Sequence, residues 1–143
     1  MDDERDAIAA LVYAYAERLD AGDLDGVAAL FASAAVRGER SGTVRRGSAA
    51  VAEFYRRTVV LYDGSPCTRH VITNLVVDLD RDGGGAAGRC AFTVLQARPA
   101  LPLQAILAGR YHDRFAHTAG TWAFRERRIL TDLVGDLRWH VRR

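Results

Sequence analysis

The chain has 143 residues, a formal net charge of +2, and 49% hydrophobic against 27% charged residues, which is the profile of a globular domain rather than a disordered or fibrous chain. Its basic residues are all arginine, so Schiff-base catalysis and a phosphate-loop lysine are excluded. Those arginines are scattered among acids instead of forming a stripe, which argues against nucleic acid as a partner.

In chain order, Asp2 or Asp3 is expected to cap a first helix running to about Asp20, with acids in its first turn complementing the helix dipole. Ile8, Leu11, Val12, Tyr15 and Leu19 recur at helical spacing and mark its buried stripe. Ala21-Gly22-Asp23 breaks that helix, and Asp23 caps a short second one carrying Val27, Leu30 and Phe31. Ala35 to Arg46 reads as a hairpin turning at Ser41-Gly42. A third helix is expected from a cap at Ser48 through Val51, Phe54, Tyr55, Val59 and Leu61.

Beyond it the pattern changes to strands: Thr68 to Leu79, Gly88 to Ala97, Ala105 to Phe115, and Thr121 to about Val134. Short separators, Asp82-Gly83-Gly84-Gly85 among them, favour an antiparallel meander. Helices followed by long strands predict an α+β domain over residues 1–143. No apolar run approaches the roughly 18–20 residues of a membrane span. The opening Met1-Asp2-Asp3-Glu4 resembles no secretory leader, so a cytoplasmic protein is expected.

The segment from Thr68 to Asp78 holds the most chemistry. Residues two apart on a strand share a face, so His70, Ile72, Asn74 and Val76 are expected to point together into the sheet's interior. An apolar pocket with a few convergent polar groups is the usual setting for work on a small molecule. Asp20, an acid at the unfavourable end of a helix dipole, can reach the mouth of such a pocket.

Several motifs now stand together: Tyr15-x-x-x-x-Asp20, Asp23-Leu24-Asp25, His70-x-x-x-Asn74, Trp122-Ala123-Phe124-Arg125-x-Arg127 and Gly135-Asp136-Leu137. With them the chain resembles the SnoaL-like branch of the NTF2-like superfamily, relatives of scytalone dehydratase, bile-acid 7α-dehydratase and lindane dehydrochlorinase. The resemblance implies a cone-shaped, mostly antiparallel curved sheet with three N-terminal helices enclosing an apolar pocket, and a homodimer. It also implies a His70–Asp20 dyad with His70 as general base, and a functional tyrosine at Tyr15. Arg127 lies near the position of a functional arginine, although Arg125, Arg127 and Arg128 also read as a solvated strand edge. Asn74 and Ile72 complete the expected substrate-binding set.

Where some relatives place a further acid or histidine on the next strand, this chain offers Cys90, Phe92, Val94 and Gln96. His117 and His140 read as exposed, and the pleat leaves the direction of His112 open. No histidine or cysteine spacing supports zinc, no Gly-x-Ser-x-Gly elbow supports a serine hydrolase, and no glycine-rich strand-to-helix loop supports a nucleotide. The expectation is therefore a lyase or isomerase without metal or cofactor, dehydratase-like, acting on a hydrophobic carbonyl compound. A polyketide-type cyclase and a non-catalytic small-molecule-binding module are the competing readings.

Overall fold

The computed structural model describes residues 3–142. Helix α1 spans Asp3–Asp20 and α2 spans Leu24–Ala29. The hairpin strands β1 (Ala35–Gly38) and β2 (Thr43–Arg46) follow, then α3 (Gly47–Thr58). Four long strands complete the chain: β3 (Thr68–Asp80), β4 (Gly85–Arg98), β5 (Leu101–Thr118) and β6 (Thr121–Val134).

The six strands form one open sheet in the order β2-β1-β6-β5-β4-β3. From β3 to β6 it is the expected antiparallel meander. The sheet is mixed because β1 runs parallel to β6. Strands β4 and β5 alternate cleanly: Cys90, Phe92, Val94 and Gln96 face inward on one, and Tyr111, Asp113 and Phe115 on the other. The helices close this inner face, with Ile8, Val12, Tyr15 and Leu19 of α1 buried at three- and four-residue spacing.

Strands β4 and β5 extend beyond the expected Gly88 to Ala97 and Ala105 to Phe115, and the helix boundaries differ in more telling ways. The α1 cap at Asp2 lies outside the described residues, and Asp3 is already helical. Ser48 sits inside α3 rather than at its cap; Arg46 stands there in extended conformation, and Gly47, with φ of 82°, makes the turn from β2. The same helix stops at Thr58, and Val59 turns extended to bridge Val141. The hydrophobic run through Leu61 thus reflects burial beneath the C-terminal segment rather than further helical turns.

A larger correction concerns β3. Its pairing with β4 takes one extra residue between Thr73 and Val76, where Asn74 adopts φ of 56°. This β-bulge reverses the alternation. His70 and Ile72 point inward before it, and Leu75, Val77 and Leu79 after it. Asn74 and Val76 are exposed, so the expected four-residue face breaks after Ile72. Asparagine suits a left-handed position because its short polar side chain tolerates it better than a branched one.

Candidate functional site

The site begins at the end of α1. The helix closes with two backbone bonds, Asp23 N–H to the Arg18 carbonyl at 2.9 Å and Gly22 N–H to the Leu19 carbonyl at 3.0 Å. Gly22 takes the left-handed conformation, with φ of 77°, that this helix ending requires. A Cβ at position 22 would lie 1.9 Å from the Gly64 carbonyl oxygen, so the turn is pressed against the loop that leads into β3. That contact sets Asp20 beside the first residues of the strand.

Three donors meet the Asp20 carboxylate. The His70 backbone N–H donates to Oδ2 at 2.7 Å, the Thr68 hydroxyl to Oδ1 at 2.9 Å, and His70 Nδ1 lies 2.6 Å from Oδ1. Burial alone would push the Asp20 pKa up. The hydrogen bonds and charge of His70, with Thr68, outweigh it and hold the carboxyl below its ordinary value. An ionised carboxylate at this distance accepts a hydrogen bond from a proton on Nδ1, which favours the tautomer whose free lone pair is on Nε2. The two side chains are 4% and 13% exposed, so the imidazole is screened from bulk water while the carboxylate reaches the surface layer.

A second histidine faces them, and the sequence reading misplaced it. His140 is buried, not exposed, with its ring centroid 6.4 Å from that of His70. The C-terminal segment carries it back against the chain that follows α3, where Val141 bridges Val59. The His140 carbonyl accepts from Val60 N–H at 2.9 Å, and Arg142 N–H donates to the Thr58 carbonyl at 2.8 Å. The preceding carbonyl, of Trp139, accepts from the Tyr62 hydroxyl at 2.6 Å and from Gln96 Nε2 at 3.1 Å. Burial, with the nearby His70 charge, lowers the His140 pKa to about 4. One sequence signal could have found it: Trp139-His140-Val141 is an apolar-flanked triplet able to dock.

Deeper in the sheet lies a different constellation. Arg127 is fully buried and forks onto Asp113, Nε to Oδ1 at 2.8 Å and Nη2 to Oδ2 at 2.9 Å. Its guanidinium carbon sits 3.7 Å from the Tyr111 ring centroid and 4.3 Å from that of Tyr15. Burial works against the charge, but Asp113 more than restores it and keeps Arg127 protonated. The solvated-edge reading of Arg127 is therefore wrong, and the reason is a second bulge. The β5–β6 register shifts between Arg114 and Phe115, so Phe124 and Arg127, three residues apart, share the inner face.

Tyr15 belongs to this inner group. Its hydroxyl hydrogen-bonds that of Tyr55, and burial raises the pKa of Tyr15, Tyr55 and Tyr111, so all three remain phenols. Of the expected residues, the structure thus brings His70 and Asp20 together, with Ile72 on the same inward face. Tyr15 and Arg127 are grouped with Asp113 instead, and Asn74 is directed outward. Cys90, on the inner face, has its thiol pushed up to about 11 by burial, which leaves it a poor nucleophile. Among the described residues no three His, Cys, Asp or Glu side chains are grouped to hold a metal ion. None of their helices is long and apolar enough to cross a membrane.

A curved, open sheet covered by three helices is a fold this chain shares with NTF2-like proteins described as having a cystatin-like fold. One such protein from Novosphingobium aromaticivorans superposes with a TM-score of 0.74 at 17% identity, over 89% of this chain and 80% of its own. A SnoaL-like domain model matches residues 3–128, and the chain belongs to that family. It is 30% identical to Rv3472, a protein of unknown function from Mycobacterium tuberculosis, over 92% of this chain and 73% of the other, with a TM-score of 0.74. A candidate scytalone dehydratase from Novosphingobium aromaticivorans shares the fold at 22% identity, with 93% and 87% of the chains covered and a TM-score of 0.73. No curated protein matches the chain.

Proposed function

We propose that the protein is a cofactor-independent lyase or isomerase of the dehydratase type, acting on a hydrophobic carbonyl compound. The observation that carries this reading is the 2.6 Å contact between His70 Nδ1 and Asp20 Oδ1 at a mostly buried position. Asp20 fixes the tautomer and steadies the imidazolium once His70 has taken a proton on Nε2.

For a β-hydroxy carbonyl substrate the steps balance as follows. His70 Nε2 takes the proton from the carbon next to the carbonyl, and the C–H electron pair forms the enolate. The enolate then reforms the carbonyl as the C–O bond on the β-carbon breaks, and the His70 proton leaves with that oxygen as water. A positioned base of this kind contributes about 10²–10⁴-fold. Tyr15 and Arg127 shape the floor beneath this pair in our reading, their polar groups being largely engaged by Tyr55 and Asp113. An association of two copies fits the exposed Leu103, Leu133 and Val134 on β5 and β6, and sedimentation would test it.

The first half-reaction can be read without knowing the substrate. In D₂O, a panel of hydrophobic ketones followed by proton NMR should exchange α-hydrogens faster with the wild type than with His70→Ala or Asp20→Asn. Equal exchange by all three proteins, each shown folded by circular dichroism, would leave a binding module as the better description.

A further inference from the structure

The bulge that turns Arg127 inward has a second effect, on the outer face of the sheet. Between the pairs Arg114–Glu126 and Phe115–Phe124, Arg125 is the extra residue. Phe124 and Arg127 are buried, so Arg125 and Glu126 are both left on the outer side, beside the exposed Arg114. The register carries the row further: Glu126 lies opposite Ala35, and Ala35 opposite Arg46. Residues opposite one another share a face, so long side chains stand on either side of an alanine and the row dips there. The depression has a volume of about 460 Å³, in the range of small-molecule sites. Arg37, Arg46, Arg114 and Arg125, from four different strands, line it.

Its charge is one-sided. Glu126 is the acid of the lining, and Arg37 already holds it in an ion pair. Among the described residues no acid pairs with Arg46, Arg114 or Arg125. Asp78 and Asp80 line an adjoining depression that shares Arg114 and Arg125, and Asp80 is taken up by the backbone N–H groups of Asp82 and Gly83. Gly47, also in the lining, opens α3, which has neither a side-chain cap nor an acid in its first turn, so the helix dipole adds to the field. Like charges gathered in this way repel, a cost that a bound anion removes.

We propose that this depression binds a phosphate dianion, free or carried by a monoester. A carboxylate is filled by a single guanidinium fork, as Asp113 is by Arg127. A phosphate group brings three terminal oxygens and close to two charges, which matches three guanidiniums without partners. Three such cations are too few to follow a nucleic-acid backbone, whose affinity needs a longer track. The site is independent of the dyad: His70 points inward from β3, at the opposite edge of the sheet from β2.

The probes are phenyl phosphate and inorganic phosphate, each titrated into the ¹⁵N-labelled full chain at neutral pH, with sodium chloride at equal ionic strength as the reference. The Nε–H signals of Arg46, Arg114 and Arg125 should shift and saturate with phosphate and stay in place with chloride. Arg125→Gln should bind about tenfold more weakly, the worth of one charge-assisted hydrogen bond. Arg40→Gln, which removes the same charge from the β1–β2 turn, should bind within about twofold of the wild type. Tighter binding of phenyl phosphate would identify a phosphorylated organic compound as the ligand, and equal or weaker binding would identify the free ion. Shifts that chloride reproduces, or equal weakening by the two variants, would overturn the site and leave only a diffuse positive field. If Arg125→Gln fails to fold, the wild-type titrations against chloride decide by themselves.

Discussion

Asp20 binds His70 twice, taking its backbone N–H on one carboxylate oxygen and its ring Nδ1 on the other. Backbone and side chain of one residue are locked to a single acid, so the imidazole cannot turn without the strand moving. Asp20→Asn keeps the shape but turns one of the two accepting oxygens into an NH₂ donor and removes the charge. The substitution should lower α-hydrogen exchange by about 10²-fold or more, and shift the imidazole's tautomer balance in ¹⁵N spectra. Unchanged exchange with a changed tautomer would remove orientation from the mechanism.

The pH dependence of stability separates His140 from Asp20. His140 has a folded-state pKa of about 4 against an ordinary value of 6.5. The unfolded chain therefore binds a proton first as the medium acidifies. Its neutral burial is fully compatible with folding above about pH 6.5, and stability falls from there down to about pH 4. At about 1.4 kcal/mol per pH unit the loss is on the order of 3 kcal/mol. The Asp20 contribution, with its pKa held below 3.8, is lost only at lower pH still. Urea unfolding between pH 7 and pH 4.5 should show the His140 slope, and His140→Gln should flatten it; an equal slope in both proteins would refute the assignment.

The buried Arg127–Asp113 pair should be asymmetric in its energetics. Removing one partner, as in Asp113→Ala, strands a guanidinium in the core and should cost about 3–5 kcal/mol. Replacing both with apolar residues of similar size, Asp113→Leu with Arg127→Met, should cost far less than the sum of the single changes. A double-mutant cycle by urea unfolding checks this, and additive costs would show that the pair is not coupled.

Asn74 tests whether the β3 bulge is conformational or chemical. Asn74→Gly keeps a left-handed residue and should leave both exchange activity and stability within about 1 kcal/mol of wild type. Asn74→Val should lose about 1–2 kcal/mol, because a β-branched side chain resists φ of 56°. A large loss of exchange in Asn74→Gly would return Asn74 to the site.

Much of the architecture was legible because it rests on periodicity. The α1 stripe, the Asp23 cap and the four-strand meander follow from spacing that tertiary packing did not override. His70 and Asp20 were legible through their motif and an acid out of place on a helix dipole. What escaped were the breaks in period. Bulges at Asn74 and between Arg114 and Phe115 each insert one residue and invert the pattern after them; an asparagine in a strand is at most a weak sign of the first, and nothing local marks the second. Asp113 escaped for the same reason, since Tyr111, Asp113 and Phe115 alternate with equally polar neighbours. His140 escaped because its burial depends on a segment folding back across 80 residues of chain to meet Val60.

Gly22 carries no side chain to touch Asp20 or His70, yet its freedom to vary is constrained twice over. Any side chain there must displace the Gly64 carbonyl and adopt a backbone shape that other residues resist. Even Gly22→Ala should swing the end of α1 away from β3 and misalign an acid that the substitution never touches. Screens that score only polar residues would overlook this position, and a loss of function there would be mistaken for a folding defect.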